Sequence, residues 1–228
     1  MLISFCIPVH NRTYDLKKVM PYLLEAINYS TPGEIVVIDY NSPDDLPRYM
    51  KGIIENSTLQ DGNCITYRRY TGRDYYHMAH ARNLSVLASS GEYFVISSAD
   101  IYFSKNFLAY VRLRLEGDGF TWLYDEKYKG VIVCKRQEFI DAGGYDERYE
   151  YYGPEDKDLH GRLVRRGRKY AMINKGMVHV ISTPDDEKIK NYRLPLSKHD
   201  MHKLGKAVLE ENDGKQALVV NEEGWGAW

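Results

Sequence analysis

An α/β fold with a mostly parallel sheet flanked by helices is predicted by three observations on this sequence. Short apolar runs, too short for core helices, alternate with amphipathic helical patterns through the first hundred residues. The runs are near-continuous rather than alternating, as strands covered on both faces require. Each ends in a cluster of polar turn residues, the usual exit from a buried strand.

The elements follow in order. Leu2 to Val9 (LISFCIPV) is the first strand. Leu16, Met20, Leu23 and Ile27 then recur at helical spacing until Ser30-Thr31-Pro32-Gly33 stops the pattern. Glu34 to Asp39 (EIVVID) is a second buried strand, and the turn Asn41 to Asp45 leads into a helix over Leu46 to Glu55. Cys64 to Arg69 reads as a third strand and Met78 to Ser89 as a helix. Tyr93 to Ser98 (YFVISS) is the fourth strand, running straight into Ala99-Asp100.

The second half changes style. Phe120 to Asp125 and Gly130 to Arg136 are shorter strands, expected as an antiparallel part. A helix over Gln137 to Ala142 is closed by Gly143-Gly144, a helix-stop signal. Another helix starts at Pro154-Glu155-Asp156 and finishes at Arg165-Arg166-Gly167, and Met177 to Ser182 is a strand by alternation. Residues 1–183 therefore form one domain without internal repeats. Residues 184–228 turn polar, with one helix over His199 to Asn212, and are expected to pack on that domain. Whether they form a lid over the site or cover an apolar face stays open at this level.

Composition narrows the function. The chain has 228 residues, of which 43% are hydrophobic, ample for a core. Lys plus Arg is 31 against 32 Asp plus Glu, a net charge of -1, which removes the simple electrostatic case for nucleic acid. No apolar stretch approaches the ~20 residues of a membrane span. Cys6, Cys64 and Cys134 are odd in number and lack a CxxC, so a reducing compartment, the cytoplasm, is expected. The 20 tyrosines suit a sugar-binding cleft without proving one.

In an open parallel sheet ligands bind beyond the carboxyl ends of the strands. The candidates there are His10-Asn11-Arg12, Asp39 with Asn41-Ser42, and Asp100. Singly each is ordinary turn chemistry, but the fold delivers all three sets to one crevice. Asp100 is a hard ligand suited to Mg²⁺ or Mn²⁺, or else a turn aspartate. His179, mid-strand beside Met177 and Ile181, reads by default as a core histidine. Most informative is Tyr151-Tyr152-Gly153-Pro154-Glu155-Asp156-Lys157-Asp158. Proline and acids are normal helix-starting chemistry. Two tyrosines and a glycine just ahead of them are not, and aromatic rings with carboxylates can hold a sugar. A carboxylate at a helix N-terminus is favoured in its ionised form and can serve as a base.

These segments resemble the GT-A fold glycosyltransferases, specifically the inverting family 2 and its galactosyltransferase-like relatives. The matching pieces are SFCIPVHNR at 4–12, IVVIDYNS at 35–42, ARNLSVLASSGEYFVISSAD at 81–100, GGYDERY at 143–149 and GPEDKDL at 153–159. The resemblance implies a Rossmann-like sheet with a smaller acceptor-side part, and a nucleotide-sugar donor, UDP-linked. It implies that Pro8, His10, Asn11 and Arg12 face the nucleoside, that Asp39 bonds the base beside Asn41 and Ser42, and that Arg82 lies near the diphosphate. Asp100 matches the second acid of the DxD motif that binds Mn²⁺ or Mg²⁺, and His179 a late histidine ligand. Asp156 matches the catalytic base, with Glu155 holding sugar hydroxyls and Tyr151, Tyr152 and Gly153 meeting the acceptor, a glycan, lipid-linked or other hydroxyl. The first acid of DxD is absent, Ser98 standing in its place near the donor, and the QxxRW motif of processive synthases is missing. Three alternatives are kept. A nucleotidyltransferase would need a Gly-rich loop after the first strand, which has none. A non-catalytic relic would fit the lost acid. A retaining transferase would share the fold.

Overall fold

The computed structural model describes residues 1–228, the side chains of residues 185 and 188 excepted. Three βα units and a fourth strand open the chain: strand β1 (Ile3–Val9), helix α1 (Thr13–Tyr29), β2 (Gly33–Tyr40), α2 (Leu46–Asn56), β3 (Cys64–Tyr70), α3 (Met78–Leu87) and β4 (Tyr93–Ile96). The second half adds β5 (Ile101–Phe103), α4 (Phe107–Arg112), β6 (Trp122–Tyr124), β7 (Ile132–Lys135), α5 (Arg136–Asp141), α6 (Glu155–Arg165), β8 (Tyr170–Met172), β9 (Val178–Val180), α7 (Asp185–Ile189) and α8 (Lys198–Gly214). A five-residue π-helical turn, Leu113–Gly117, extends α4.

Seven strands form one sheet in the order β3-β2-β1-β4-β7-β6-β8. β3, β2, β1 and β4 are parallel, β7 runs against β4 and β6, and β8 is parallel to β6. β5 and β9 pair separately as a small antiparallel sheet. The expected architecture is present, with one refinement: the antiparallel pair β6–β7 belongs to the main sheet, and a second antiparallel element stands beside it. β5, α4, β8 and α7 were not legible beforehand, because three- to six-residue elements carry too little periodicity.

Every residue of β1 and β2 is buried, as central strands require. Their alternate side chains feed two layers. Phe5, Ile7, Ile35 and Val37 pack with Leu16, Leu23 and Phe107 from α1 and α4. On the other face Cys6, with Phe94 and Ile96 of β4 and Trp122 of β6, packs with Phe139 and Leu159 from α5 and α6, and Val36, Ile38 and Tyr40 of β2 pack with Ala81 and Leu84 of α3. Burial of this kind contributes about 25 cal/mol per Å² of apolar surface, the main driving force for the fold.

The second layer also contains charge. Arg162 and Asp158, one turn apart on α6, are both fully buried and bonded at 2.8 Å. Arg162 also donates to the carbonyls of Ala142 and Gly144 at 2.6 and 2.8 Å. Asn212 of α8 donates to Asp158 and to Asp146. The acidic segment after Gly153 thus splits by helical phase, with Asp158 turned into the core. Because a buried guanidinium left unpaired costs ~3–5 kcal/mol, Asp158→Ala is expected to lose about that much in urea unfolding. A loss below ~1 kcal/mol would show that the carbonyls alone satisfy Arg162.

Candidate active site

The carboxyl ends of β1, β2 and β4 open on one crevice. At the end of β1, His10 Nδ1 lies 2.5 Å from the Tyr40 carbonyl. Asn11 takes a left-handed conformation (φ 54°), and its backbone N–H donates to Ser42 Oγ at 3.0 Å. Asn41, after β2, is left-handed as well (φ 50°). Both are asparagines, which enter this region more readily than other non-glycine residues, and both side chains are bonded in place, to Asn191 and to the Arg73 carbonyl. Asp39 is fully buried and accepts bonds from the Ser42 N–H and the Tyr67 hydroxyl, both at 2.7 Å, with Arg69 Nε at 3.6 Å. Pro8 lies inside β1, buried, one step short of the strand end.

Arg12 begins α1 and reaches three ways. Its Nε bonds Asp15 at 2.6 Å, and its Nη2 lies 3.1 Å from Thr183 Oγ1 and 3.4 Å from Asp100 Oδ2. Ser98 donates to Asp100 Oδ1 at 2.6 Å, so the serine in place of the first DxD acid is a partner of the second. His179 goes elsewhere. Its Nε2 is 3.0 Å from Ser104 Oγ and its ring stacks on Tyr102 at 4.9 Å. In the β5–β9 register it stands opposite Tyr102. Among the described residues no group of three or more His, Cys, Asp or Glu side chains is placed to hold a metal ion. Asp100, a hard oxygen donor of the kind Mn²⁺ or Mg²⁺ prefers, is held between Ser98 and Arg12.

Arg82, on α3, bridges the acids at the start of α6. Its Nη1 lies 3.0 Å from Glu155 Oε1 and 2.7 Å from Asp156 Oδ1. Burial opposes the guanidinium's charge, but Asp156, Tyr145 and Glu155 around it more than offset this and raise its pKa. One cation between two carboxylates leaves a negative charge uncompensated. Burial, then the neighbouring Asp156, push Glu155 up to about 8. The helix N-terminus was expected to favour ionised acids here; for Glu155 desolvation wins. The other oxygen of Asp156 faces Gly130 in the β6–β7 turn, where a Cβ would stand 3.2 Å from it and 2.8 Å from Arg82 Nη2.

The two tyrosines before the acids turn toward the C-terminal residues. Tyr151 faces Tyr192 at 6.4 Å, while Tyr152 meets His202 edge-on at 5.2 Å and lies under Lys198. The Gly153 N–H donates to Glu155 Oε2 at 3.1 Å. Tyr192 is 7% exposed, packed on Tyr76 and bonded to Met78 Sδ. Asn191 accepts from Asn11 Nδ2 at 3.1 Å. Residues 183–192 thus lie against the strand ends, a placement the polar sequence there does not announce. Asn191 and Tyr192 were missed for that reason; Tyr67, inside β3, was missed because its bond to Asp39 is made across to the neighbouring strand.

The sheet order and the crevice define a domain of the GT-A type. The chain belongs to glycosyl transferase family 2, whose profile matches residues 4–132. Residues 116–187 match a second profile, the N-terminal domain of galactosyltransferase. Beta-1,4-galactosyltransferase 1 of Bos taurus is 22% identical over 194 residues, covering 76% of this chain and 48% of its own length. The Homo sapiens protein of that name is 24% identical over 138 residues, 55% of this chain and 34% of its own. The chain therefore spans between a third and a half of these curated relatives. Among solved structures, S. aureus TarS 1-349 in complex with UDP-GlcNAc superimposes with a TM-score of 0.70 at 15% identity, over 96% of this chain and 70% of that one. The mannosyltransferase PcManGT from Pyrobaculum calidifontis, in complex with GDP-Man and Mn²⁺, gives 0.65 at 15%, over 93% and 75%.

Glu155 carries a checkable linkage. Its folded pKa lies above its unfolded value, so the folded chain keeps a proton that the unfolded chain releases between about 4.5 and 8. Its contribution to stability falls as pH rises through that window. Glu155→Gln is accordingly expected to gain stability over the parent between pH 5 and pH 8, read by urea unfolding at both. A difference that stays flat with pH would refute the raised pKa.

Proposed function

We propose that the chain transfers a sugar from a UDP-sugar to an acceptor hydroxyl, with inversion at the anomeric carbon. The observation that carries this reading is the Arg82 bridge to Glu155 and Asp156, set beside the strand ends that hold Asp39, Arg12 and Asp100. The names and bound donors of the relatives support the same class, with UDP and UDP-GlcNAc in TarS.

In this reading the nucleoside lies over His10, Asn11 and the Asp39–Ser42 turn. Asp156 takes the acceptor proton as the hydroxyl oxygen attacks the anomeric carbon, and the bond to the diphosphate breaks. Arg82 fixes the carboxylate's direction through Oδ1, and Glu155 is assigned to hold a sugar hydroxyl. Tyr151, Tyr152 and Gly153 border the acceptor, a glycan or lipid-linked hydroxyl. Residues 183–192 act as a lid through Thr183 and Asn191. A divalent cation, Mn²⁺ or Mg²⁺, is assigned to Asp100; when bound, such an ion stabilises charge on the leaving diphosphate. His179, whose Nε2 is bonded to Ser104, is assigned as a further ligand only by resemblance. Three free cysteines, Cys6, Cys64 and Cys134, support a cytoplasmic setting. The serine at position 98 favours a second reading, a domain that binds the nucleotide without catalysis.

A positioned base contributes ~10²–10⁴-fold. Asp156→Asn is therefore expected to reduce turnover by that order while UDP affinity, measured by calorimetry, is kept. Calorimetry with UDP, GDP and dTDP, each with and without Mn²⁺, is expected to show Mn²⁺-dependent binding of UDP that Asp100→Asn abolishes. Near-normal turnover of Asp156→Asn would remove the base, and UDP binding without any turnover would favour the second reading.

A further inference from the structure

Residues 220–227 are bonded to the turn that precedes the catalytic acids. Val220 N–H donates to the Ala142 carbonyl at 3.3 Å. Asn221, left-handed at φ 61°, donates through Nδ2 to the Gly143 and Tyr145 carbonyls, both at 2.7 Å. Its Oδ1 accepts from the Glu147 N–H at 2.9 Å. Gly226 N–H donates to Glu147 Oε1, also at 2.9 Å. The Trp225 ring packs on Phe139 and over Gly144. The Gly143-Gly144 pair, read from sequence only as a helix stop, has a second requirement. A Cβ on Gly143 would stand 1.9 Å from the Val220 carbonyl oxygen, and one on Gly144 would stand 2.6 Å from Trp225.

The same turn is bonded from the opposite side by α3. Asn83, fully buried, accepts from the Tyr145 N–H at 2.8 Å and donates to the Tyr145 carbonyl and to Glu147 Oε1, both at 2.9 Å. The neighbouring residue in sequence is Arg82, and the Tyr145 ring lies under its guanidinium at 5.0 Å. A continuous set of contacts therefore leads from Asn221 and Trp225 through Tyr145 to Arg82, and from Arg82 to Asp156.

From this we infer that residues 220–227 are a positioning strap: by fixing the backbone at Tyr145 they set where Arg82 holds the Asp156 carboxylate. The inference rests on the transferase reading above. The strap reaches the strand ends assigned to the nucleoside only indirectly, through the Ala227 carbonyl, His80 and the Tyr40 hydroxyl, while its bonds at Tyr145 lead to Arg82, so it acts chiefly on turnover.

The test uses full-length Asn221→Gly, which tolerates the left-handed backbone but lacks the side-chain bonds, together with Trp225→Ala and Trp225→Phe. A misplacement of ~1 Å can cost up to ~10²-fold. Asn221→Gly and Trp225→Ala are expected to lower kcat about 10-fold or more. Donor KM and UDP affinity should stay within about twofold, well under 1 kcal/mol, and Trp225→Phe should recover most of the loss. A kcat near that of the parent, or UDP affinity falling in step with kcat, would overturn the strap. If the parent protein transfers no sugar, the transferase reading fails separately. Amide exchange then decides: faster exchange at 145–147 and 155–158, with β1 to β4 still protected, supports the strap. Unchanged or uniformly faster exchange rejects it.

Discussion

The Arg82 guanidinium joins the two halves of this chain. It leaves α3, in the parallel half, and ends on two carboxylates at the first turn of α6. Without those acids it would be an unpaired buried cation over the Tyr145 ring; without it, Glu155 and Asp156 would face each other as like charges. The arrangement fixes the relative placement of the parallel half and the acids of α6, and it makes those two acids unequal. Glu155 is 2% exposed and loses more hydration than its partner, so burial pushes its pKa up.

Charge is also used inside the acid half. Asp146, Arg148, Asp158, Arg162 and Asn212 form one bonded group linking the turn after Gly144, α6 and α8. Such a group contributes less net stability than its contacts suggest, because desolvation offsets much of it. What it supplies is a single permitted register. Asn212 can satisfy Asp146 and Asp158 together only when α8 lies in one position along α6.

The parts of this fold legible in the sequence were those dictated by local pattern. β1 and β2 are buried on both faces and carry unbroken apolar runs, and α1 shows its 3.6-residue stripe over nearly five turns. β5 and β8 have three residues each and no room for a period, and α4 passes into a π-helical turn. The strand ends His10, Asn41, Ser42 and Asp100 were found because topology delivers them to one edge. The pairings made there were not legible, since Arg12 with Thr183, Asn11 with Asn191 and Arg82 with Asp156 lie 171, 180 and 74 positions apart. Alternation correctly put His179 in a strand, but only the β5–β9 register shows that its neighbours are Tyr102 and Ser104.

The reversed direction of β7 has a consequence for how such a chain diversifies. In a wholly parallel sheet the link leaving β6 would have to cross to the far edge before the next strand began. Because β7 runs backward, residues 125–131 return at the same edge and set the bare Gly130 against Asp156 and Arg82. That short turn is sequence-local and closed by the bond from the Asp125 N–H to the Val131 carbonyl, so insertions between 126 and 130 alter the crevice wall without disturbing β1 or β2. Evolution can thus exchange one rim of the cleft while the opposite rim is inherited intact.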